Sequence, residues 1–570
     1  MRRKIRCPCT RYEWVLGTIA ILCLTISILL FTTFSPIYEA IVKKELAFKM
    51  YDDGSLSYSG FMLANPPMHN IMNFYMYNVT NPDEIIYEGA KPRLLEIGPF
   101  AIQESEHKKY YRMNDNQTEM FYENYKMYNI REDLSCETCN WDGNLIFPNP
   151  TGVGATAAMW NPAFKITKVG HTIIAIGLTL MGEVPFVSHT VKEVLFTGYN
   201  DALLSAAHSQ LIYDLSGYFK GNKSIIPIPI PSMPLFAYFQ GYNNSKDEHY
   251  WIKTGKENID ELGKVVSWGN LKELPEDWWT TKEARAINGS DSGSFCKMHL
   301  DESSEIPMFQ SFQCRSFTAK YAGQTDVAGI PSFTFSVLED EYDTTLEKNK
   351  GFRYPNIEKR NYFSDWPSCP TKKNCAYPID CSLKENLCCD TCNGSYVNGN
   401  YILPPGMFPL VCYPGKLEPT PFAVFYSPPH YLYSPPEVVS AVVGMNPDPS
   451  IHQPFVYNHE PYSGTVTEVF VRLQVNMPVM TSVDVPAYMH MPNKVIPLFW
   501  ENAHATLLDS TYSKLRLGFV TVPLVVTIVE FSLLGIGLFL IAILIAIRVY
   551  KHRKSKHLQG NITQNGTILS

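Results

Sequence analysis

The chain lacks the short motifs that mark most catalytic centres. It has no G-x-S-x-G elbow, no H-E-x-x-H and no P-loop, and its fourteen histidines are scattered without metal-ligand spacing. A nucleophile-elbow hydrolase, a helix-borne zinc protease and a P-loop NTPase are therefore not suggested. Positive charge is scarce over most of the length: the two tails hold ten bases and no acid, so a net charge of −7 leaves about −17 on residues 12–547. Bulk charge gives no surface for nucleic acid or another polyanion. Internal repeats and low-complexity tracts are also missing. The expectation is a protein that is not an enzyme, with no catalytic residues, cofactor, metal site or nucleic-acid partner. Two weak features do not change it. Gly152-Val-Gly154 follows FPNP rather than a buried strand, and Cys136-x-x-Cys139 reads as a local disulfide, or as halves of two bridges, before it reads as a redox pair.

What the chain has is apolar length at both ends. Trp14 to Tyr38 runs for 25 residues without a charge, and Leu517 to Ile547 holds only Glu530. Either stretch as a helix crosses roughly 30 Å of hydrocarbon. Arg2, Arg3, Lys4, Arg6 and Arg11 precede the first, while Arg548, Lys551, Arg553, Lys554 and Lys556 follow the second. The positive-inside rule then places both termini in the cytoplasm. No small-x-small site separates the first stretch from Glu39, so it reads as an uncleaved anchor. The expected organisation is a tail over 1–12, a span over 13–37, an extracellular or lumenal ectodomain over 38–524, a second span over 525–547 and a tail over 548–570. Glu530 then sits near the outer interface of a span at about Thr527–Val549, or else it lines a pore.

Cysteine usage agrees with an oxidising exterior. Eleven of the 14 cysteines fall in the ectodomain, and six of them (Cys369, Cys375, Cys381, Cys388, Cys389, Cys392) crowd into 24 residues. Disulfides are the expectation there rather than zinc, and an odd total leaves one thiol free or paired between chains. Cys7 and Cys9 precede the first span, as S-palmitoylation sites or as two free thiols. Asn78, Asn116, Asn222, Asn243, Asn288 and Asn393 open sequons in the ectodomain and are expected to carry N-glycans. Asn561 and Asn565 match the same pattern beyond the second span, where they should stay bare.

The ectodomain reads as mainly β with α insertions. Val469 to Val479 alternates apolar residues with Phe470, Arg472, Gln474 and Asn476, and GIPSFTFSV alternates Phe333, Phe335 and Val337. Between about Ala155 and Gln210 proline is scarce and apolar residues take helical spacing, with a short amphipathic helix at Leu203–Leu211. Ile225–Pro234 (IIPIPIPSMP) is an extended connection.

A series of motifs in fixed order resembles the class B scavenger receptors, a family that includes a fatty-acid translocase, a lysosomal integral membrane protein and sensory-neuron membrane proteins. The motifs begin with VTNPDE (79–84), IGPF (97–100), DWW (277–279), INGSDSGSF (287–295), QCRSF (313–317) and GIPSFTF (329–335). They continue through SPPHYLYSPPEV (427–438), GMNPDP (444–449), HEPYSGTV (459–466), VRLQVNMPV (471–479) and VIPLFW (495–500). The resemblance implies an antiparallel β-barrel-like ectodomain with a helical apex at about 155–215, an internal apolar tunnel and two transmembrane helices. It also implies a bridge between Cys314 and Cys412. It further implies a membrane receptor that binds fatty acid, sterol or phospholipid, or lipid carriers, and passes lipid to the membrane; the ligand-binding residues are unknown and homo-oligomerisation is left open. The plasma membrane is the expected location, because Ile568-Leu569 lacks an upstream acid; a lysosomal or endosomal receptor escorting a lumenal enzyme is the alternative. Family apex helices often carry bases, whereas Leu178–Leu195 has only Lys192, with Glu183 expected at the tip. Ala284 stands where the family has a cysteine, and Cys296 is nearby to replace it. Two spans with a cysteine-rich exterior also describe a two-span ligand-gated ion channel, with Glu530 facing the pore, as a remote alternative.

Overall fold

The computed structural model describes residues 11–160, 166–207, 235–356, 358, 360–363, 365–366, 396–397, 400–401, 403–420 and 423–565. Two compact units form: residues 1–46 with 510–570, and residues 47–509.

The first unit is built on two apolar helices, α1 (Arg11–Leu46) and a long C-terminal helix (Val522–Asn565). Both are long and apolar enough to cross a membrane. They run antiparallel, because Glu13 pairs with Lys551 at 3.0 Å, the Ser27 hydroxyl donates to the Glu530 carbonyl at 3.0 Å and the Tyr38 hydroxyl donates to the Gly518 carbonyl at 2.8 Å. Their close approach needs small residues: a Cβ at Gly537 would meet the Leu24 side chain and the Ala20 carbonyl. Antiparallel packing brings the start of the first helix and the basic segment of the second to one side.

The second unit is dominated by one sheet. Its strands are β1 (Met68–Val79), β2 (Leu94–Met113), β3 (Glu119–Ile130), β6 (Ser245–Lys253), β7 (Val265–Trp268), β8 (Ser290–Asp291), β9 (Glu305–Gln310), β10 (Arg315–Val327), β11 (Ile330–Ser336), β16 (Phe455–His459), β17 (Val466–Val479) and β18 (Lys494–Leu507). They pair in the order β7-β6-β3-β2-β1-β18-β17-β16-β11-β10-β9-β8, with β15 (Phe425–Ser427) attached to β17 and β14 (Phe408–Pro409) to β15. The two ends meet: Lys264 bridges Ser290, and the Val265 amide donates to the Gly289 carbonyl at 2.9 Å. The sheet is thus a nearly closed barrel, antiparallel except at the β8–β9 pair, which leaves little exposed edge. Two small two-stranded sheets lie apart from it, β4 (Asn144–Pro148) with β5 (Phe186–Thr190), and β12 (Tyr396–Val397) with β13 (Asn400–Tyr401).

The two strands read from alternation are β17 and β11. In β17, however, both faces are buried, because Arg472, Gln474 and Asn476 are covered as well as Leu473, Val475 and Met477. The SPPHYLY segment lies over the polar face and satisfies it. Gln474 accepts from the His430 amide at 2.8 Å and from the Tyr77 hydroxyl at 3.2 Å, and Asn476 donates to the Ser427 hydroxyl at 3.0 Å. Gly289 of INGSDSGSF has φ 81°, and a Cβ there would land on the Pro307 carbonyl. Only glycine allows that contact beside the parallel β8–β9 pair.

The helical insertion comprises α4 (Pro150–Met159), α5 (Lys168–Leu180) and α6 (Ala202–Ala207), and it follows two short helices, α2 (Tyr58–Ala64) and α3 (Pro82–Glu88). Gly152 and Gly154 are buried inside α4 rather than exposed in a loop. Glu183 is not at a tip. It is 5% exposed at the foot of the insertion, where its carboxylate accepts from the Asn149 side chain at 2.8 Å. That hydrogen bond to Asn149, the residue before α4, holds it inward.

Candidate functional site: an apolar cavity in the barrel

The inner face of β1, β17 and β18 forms one wall of a cavity. Met72 comes from β1, Leu473 and Val475 from β17, and Phe499 from β18. The opposite wall is an aromatic segment, Phe236 to Tyr242, held down because the Tyr238 and Phe239 amides donate to the Val194 and Leu195 carbonyls at 2.9 and 2.8 Å. Phe312, Leu410, Tyr413 and Val424 complete the lining. About 890 Å³ here is free of protein atoms, counting the open space at the mouth. The lining is overwhelmingly apolar, as in sites for apolar ligands, and about 100 Å³ of the space is open to the centre of a water-sized molecule. Each methylene placed in such a space gains about 0.8 kcal/mol over water.

One ionisable residue breaks the lining. Glu501 faces the interior of β18, in register between Phe74 on β1 and Leu473 on β17. Burial, reinforced by the nearby Glu104, pushes its carboxyl up to about 8. Behind the cavity runs a buried polar seam. Lys126 contacts Glu106 at 3.3 Å and Glu104 at 3.8 Å, and its ammonium lies 4.1 Å from the centre of the Phe312 ring. Lys108 pairs with Glu106 at 2.8 Å, and Asn124 bridges Glu106 to Asp247 at 3.3 Å on each side. Against the cost of burial, Lys108 and Lys126 hold Glu106 well below the usual range. Burial raises Asp247 to about 7 despite Lys126. With Asp291, five carboxyls face two lysines among the described residues, and burial disfavours the charged form of Glu104, Asp247, Asp291 and Glu501.

The helical insertion offers a second surface. Val169, Ile173, Ile176 and Leu180 of α5 are 69%, 42%, 53% and 83% exposed, whereas Ile174, Ala175 and Leu178 on the other face are buried. Spacings of four, three and four place the exposed set on one stripe. No base shares it. Below, Asn149, Thr151, Glu183 and Asp201 form a closed polar knot, with burial and then Asp201 raising Glu183 to about 7. The Tyr488 hydroxyl donates to the Val184 carbonyl at 3.0 Å and ties the insertion to the barrel.

The remaining sequence-derived positions fall as follows. Cys314 and Cys412 form a disulfide with Cα atoms 6.2 Å apart, and Cys136 is bonded to Cys139. Cys296 is a thiol, half-buried beside the Gly464 carbonyl (3.0 Å) and the His459 ring (3.4 Å), so it does not replace the cysteine missing at Ala284 by forming a bridge among the described residues. Asn116, Asn243 and Asn288 are exposed, while Asn78 is half-buried and accepts from the Ile146 amide at 2.8 Å. Cys7, Cys9, Asn222, Asn393 and the cluster Cys369–Cys392 lie outside the described residues. Neither Glu501 nor the α5 stripe was singled out from sequence. The signal was available for Glu501, as an acid directly after the apolar run VIPLFW.

A nearly closed barrel with an apolar cavity, on a chain with two membrane-length helices, is the architecture to be compared. The chain belongs to the CD36 family, whose sequence profile matches residues 15–548. An uncharacterised Caenorhabditis elegans protein, R07B1.3, is 43% identical over 95% of this chain and 97% of its own length. Human lysosome membrane protein 2 is 25% identical over 92% of each chain, and rat scavenger receptor class B member 1 is 25% identical over 95% of this chain and 91% of its own. The protein is thus a membrane receptor of the scavenger type.

Proposed function

We propose that this receptor binds lipid, alone or on a carrier, and passes it through the barrel cavity toward the membrane that its two terminal helices cross. The observation that carries this reading is the cavity: an apolar-walled space inside a barrel, where an acyl chain loses its contact with water. The exposed apolar stripe of α5 suits first contact with a lipid surface and replaces the bases that would favour an acidic one. Nothing in this route requires a catalytic group, and the protein acts as a non-enzymatic conduit. We place it at the cell surface, with both termini cytoplasmic and with N-glycans on the exterior sequons. The likeness to a lysosome membrane protein gives the organelle reading its support; there, steady-state location in endosomes with a lumenal protein co-purifying is the expected sign.

The test is uptake of a fluorescent lipid by cells expressing the full-length chain. Ala237→Trp and Val475→Trp put an indole into the cavity from opposite walls. Both should cut uptake at unchanged surface level, and uptake equal to wild type in both would overturn the conduit.

A further inference from the structure

One carboxyl breaks the apolar wall of the cavity. Glu501 lines it, and its directly opposed neighbours on β1 and β17, Phe74 and Leu473, are 0% and 7% exposed. Glu501 itself is half-buried, so the surface it keeps faces the cavity. No hydrogen bond or ion pair reaches its carboxyl among the described residues. Lys126, the cation that acts on it, contacts Glu106 and Glu104 instead, at 3.3 and 3.8 Å. A carboxyl in that setting keeps its proton at neutral pH, because ionisation would leave an unpaired charge against an apolar space; burial and then Glu104 raise it to about 8. Glu501 therefore offers an O–H donor to whatever enters. Polar groups left without a partner inside a fold are uncommon, and this one sits where cargo would lie.

We infer that Glu501 is the residue that holds the lipid head in the cavity, its carboxyl O–H donating to a carboxylate oxygen of a fatty acid. This rests on the conduit reading and deepens it. The fatty-acid anion has no proton of its own, so the two carboxyls share the one that Glu501 brings, and a hydrogen bond to an ionised acceptor is about twice as strong as a neutral one. An alcohol head is less demanding: it accepts from Glu501 when the acid is neutral and donates to it when the acid is ionised. The two heads therefore respond differently to pH. Above about 8 the empty cavity has lost the proton, and a carboxylate then enters only if one is taken up. The other groups facing Glu501 do not mask this. Glu104 on β2 adds negative charge, and Lys126 on β3, which stays charged, offsets part of it. Burial raises Tyr238, Tyr242, Tyr413 and Tyr426, so all four are neutral at pH 9, and the facing residues of β1 and β17 are apolar.

The experiment measures binding of palmitate and of hexadecanol to purified full-length protein between pH 7 and pH 9. Wild-type affinity for palmitate should fall about tenfold over that range, as for a group that titrates near 8 and must be protonated in the complex, while affinity for hexadecanol changes by less than about threefold. Glu501→Gln keeps a donor in its amide and should bind palmitate at pH 7 with a flatter profile. Glu501→Leu removes the donor and should bind palmitate at least about tenfold more weakly at pH 7, a larger loss than for hexadecanol. Leucine suits the apolar row, so this variant should fold, and palmitate's own ionisation is common to all three proteins. Palmitate bound as tightly by Glu501→Leu as by wild type at pH 7, or a fall as steep in Glu501→Gln as in wild type, would overturn the inference while leaving the conduit standing. Binding of neither probe by wild type overturns both.

Discussion

Arg315 shows how a motif residue acts alone. It is 0% exposed, with its guanidinium carbon 3.7 Å from the Phe352 ring centre and 4.2 Å from that of Phe317, and it donates to the Glu341 carbonyl at 3.2 Å. Burial pulls it down to about 10, still charged at any physiological pH. Stacking of a planar cation on aromatic faces offsets part of the desolvation, and lysine does not reproduce that geometry. Arg315→Ala should cost about 3–5 kcal/mol in denaturant unfolding, with Arg315→Lys failing to restore it. Glu183 gives a pH-dependent counterpart. Its folded value of about 7 exceeds the reference of 4.5, so its favourable contribution is complete below about 4.5 and is lost as pH rises through about 7. Glu183→Gln should therefore raise the melting temperature at pH 8 and change it little at pH 5. The reverse order would show that the carboxylate is stabilised in the fold. His459 works in the opposite sense: burial lowers it to about 4, so protonation below its reference of 6.5 destabilises the fold as pH falls toward 4.

Among the elements, α5 and the two spanning helices make separate predictions. Ile176→Asp and Leu180→Asp lie on an exposed face, so stability should move by no more than about 0.5 kcal/mol. Lipid capture should nevertheless fall. Unchanged capture with both substitutions combined would remove the apex from the route. In the spans, Glu530 presents its carbonyl to Ser27, and Glu530→Gln should leave lipid uptake intact and cells electrically silent. An evoked current sensitive to that change would instead favour a channel. Elements were unevenly legible in the sequence. The spans and β17 were readable because a long apolar run or strict alternation is a local signal. The burial of Gln474 and Asn476 was not, because their cover comes from residues 427–430, over forty positions away. Glu183 misled for the same reason: an acid in a presumed loop reads as exposed, and only its contact with Asn149 shows otherwise.

At the scale of the whole molecule, the barrel and its cavity depend on pairings with no local signature. Lys264 meets Ser290 only because ten intervening strands curl round, and the cavity exists only where the walls from β1, β17, β18 and 236–242 stand apart. The order of motifs pointed to this architecture through resemblance; composition and periodicity reached no further than a mainly β ectodomain held by two helices. The most direct measurement of the central claim is native mass spectrometry of full-length protein purified in mild detergent. Wild type should carry lipid that survives exchange into a lipid-free micelle, and Ala237→Trp should be depleted of it. Wild type that is consistently empty, or an Ala237→Trp protein loaded equally with wild type, would contradict passage through the barrel.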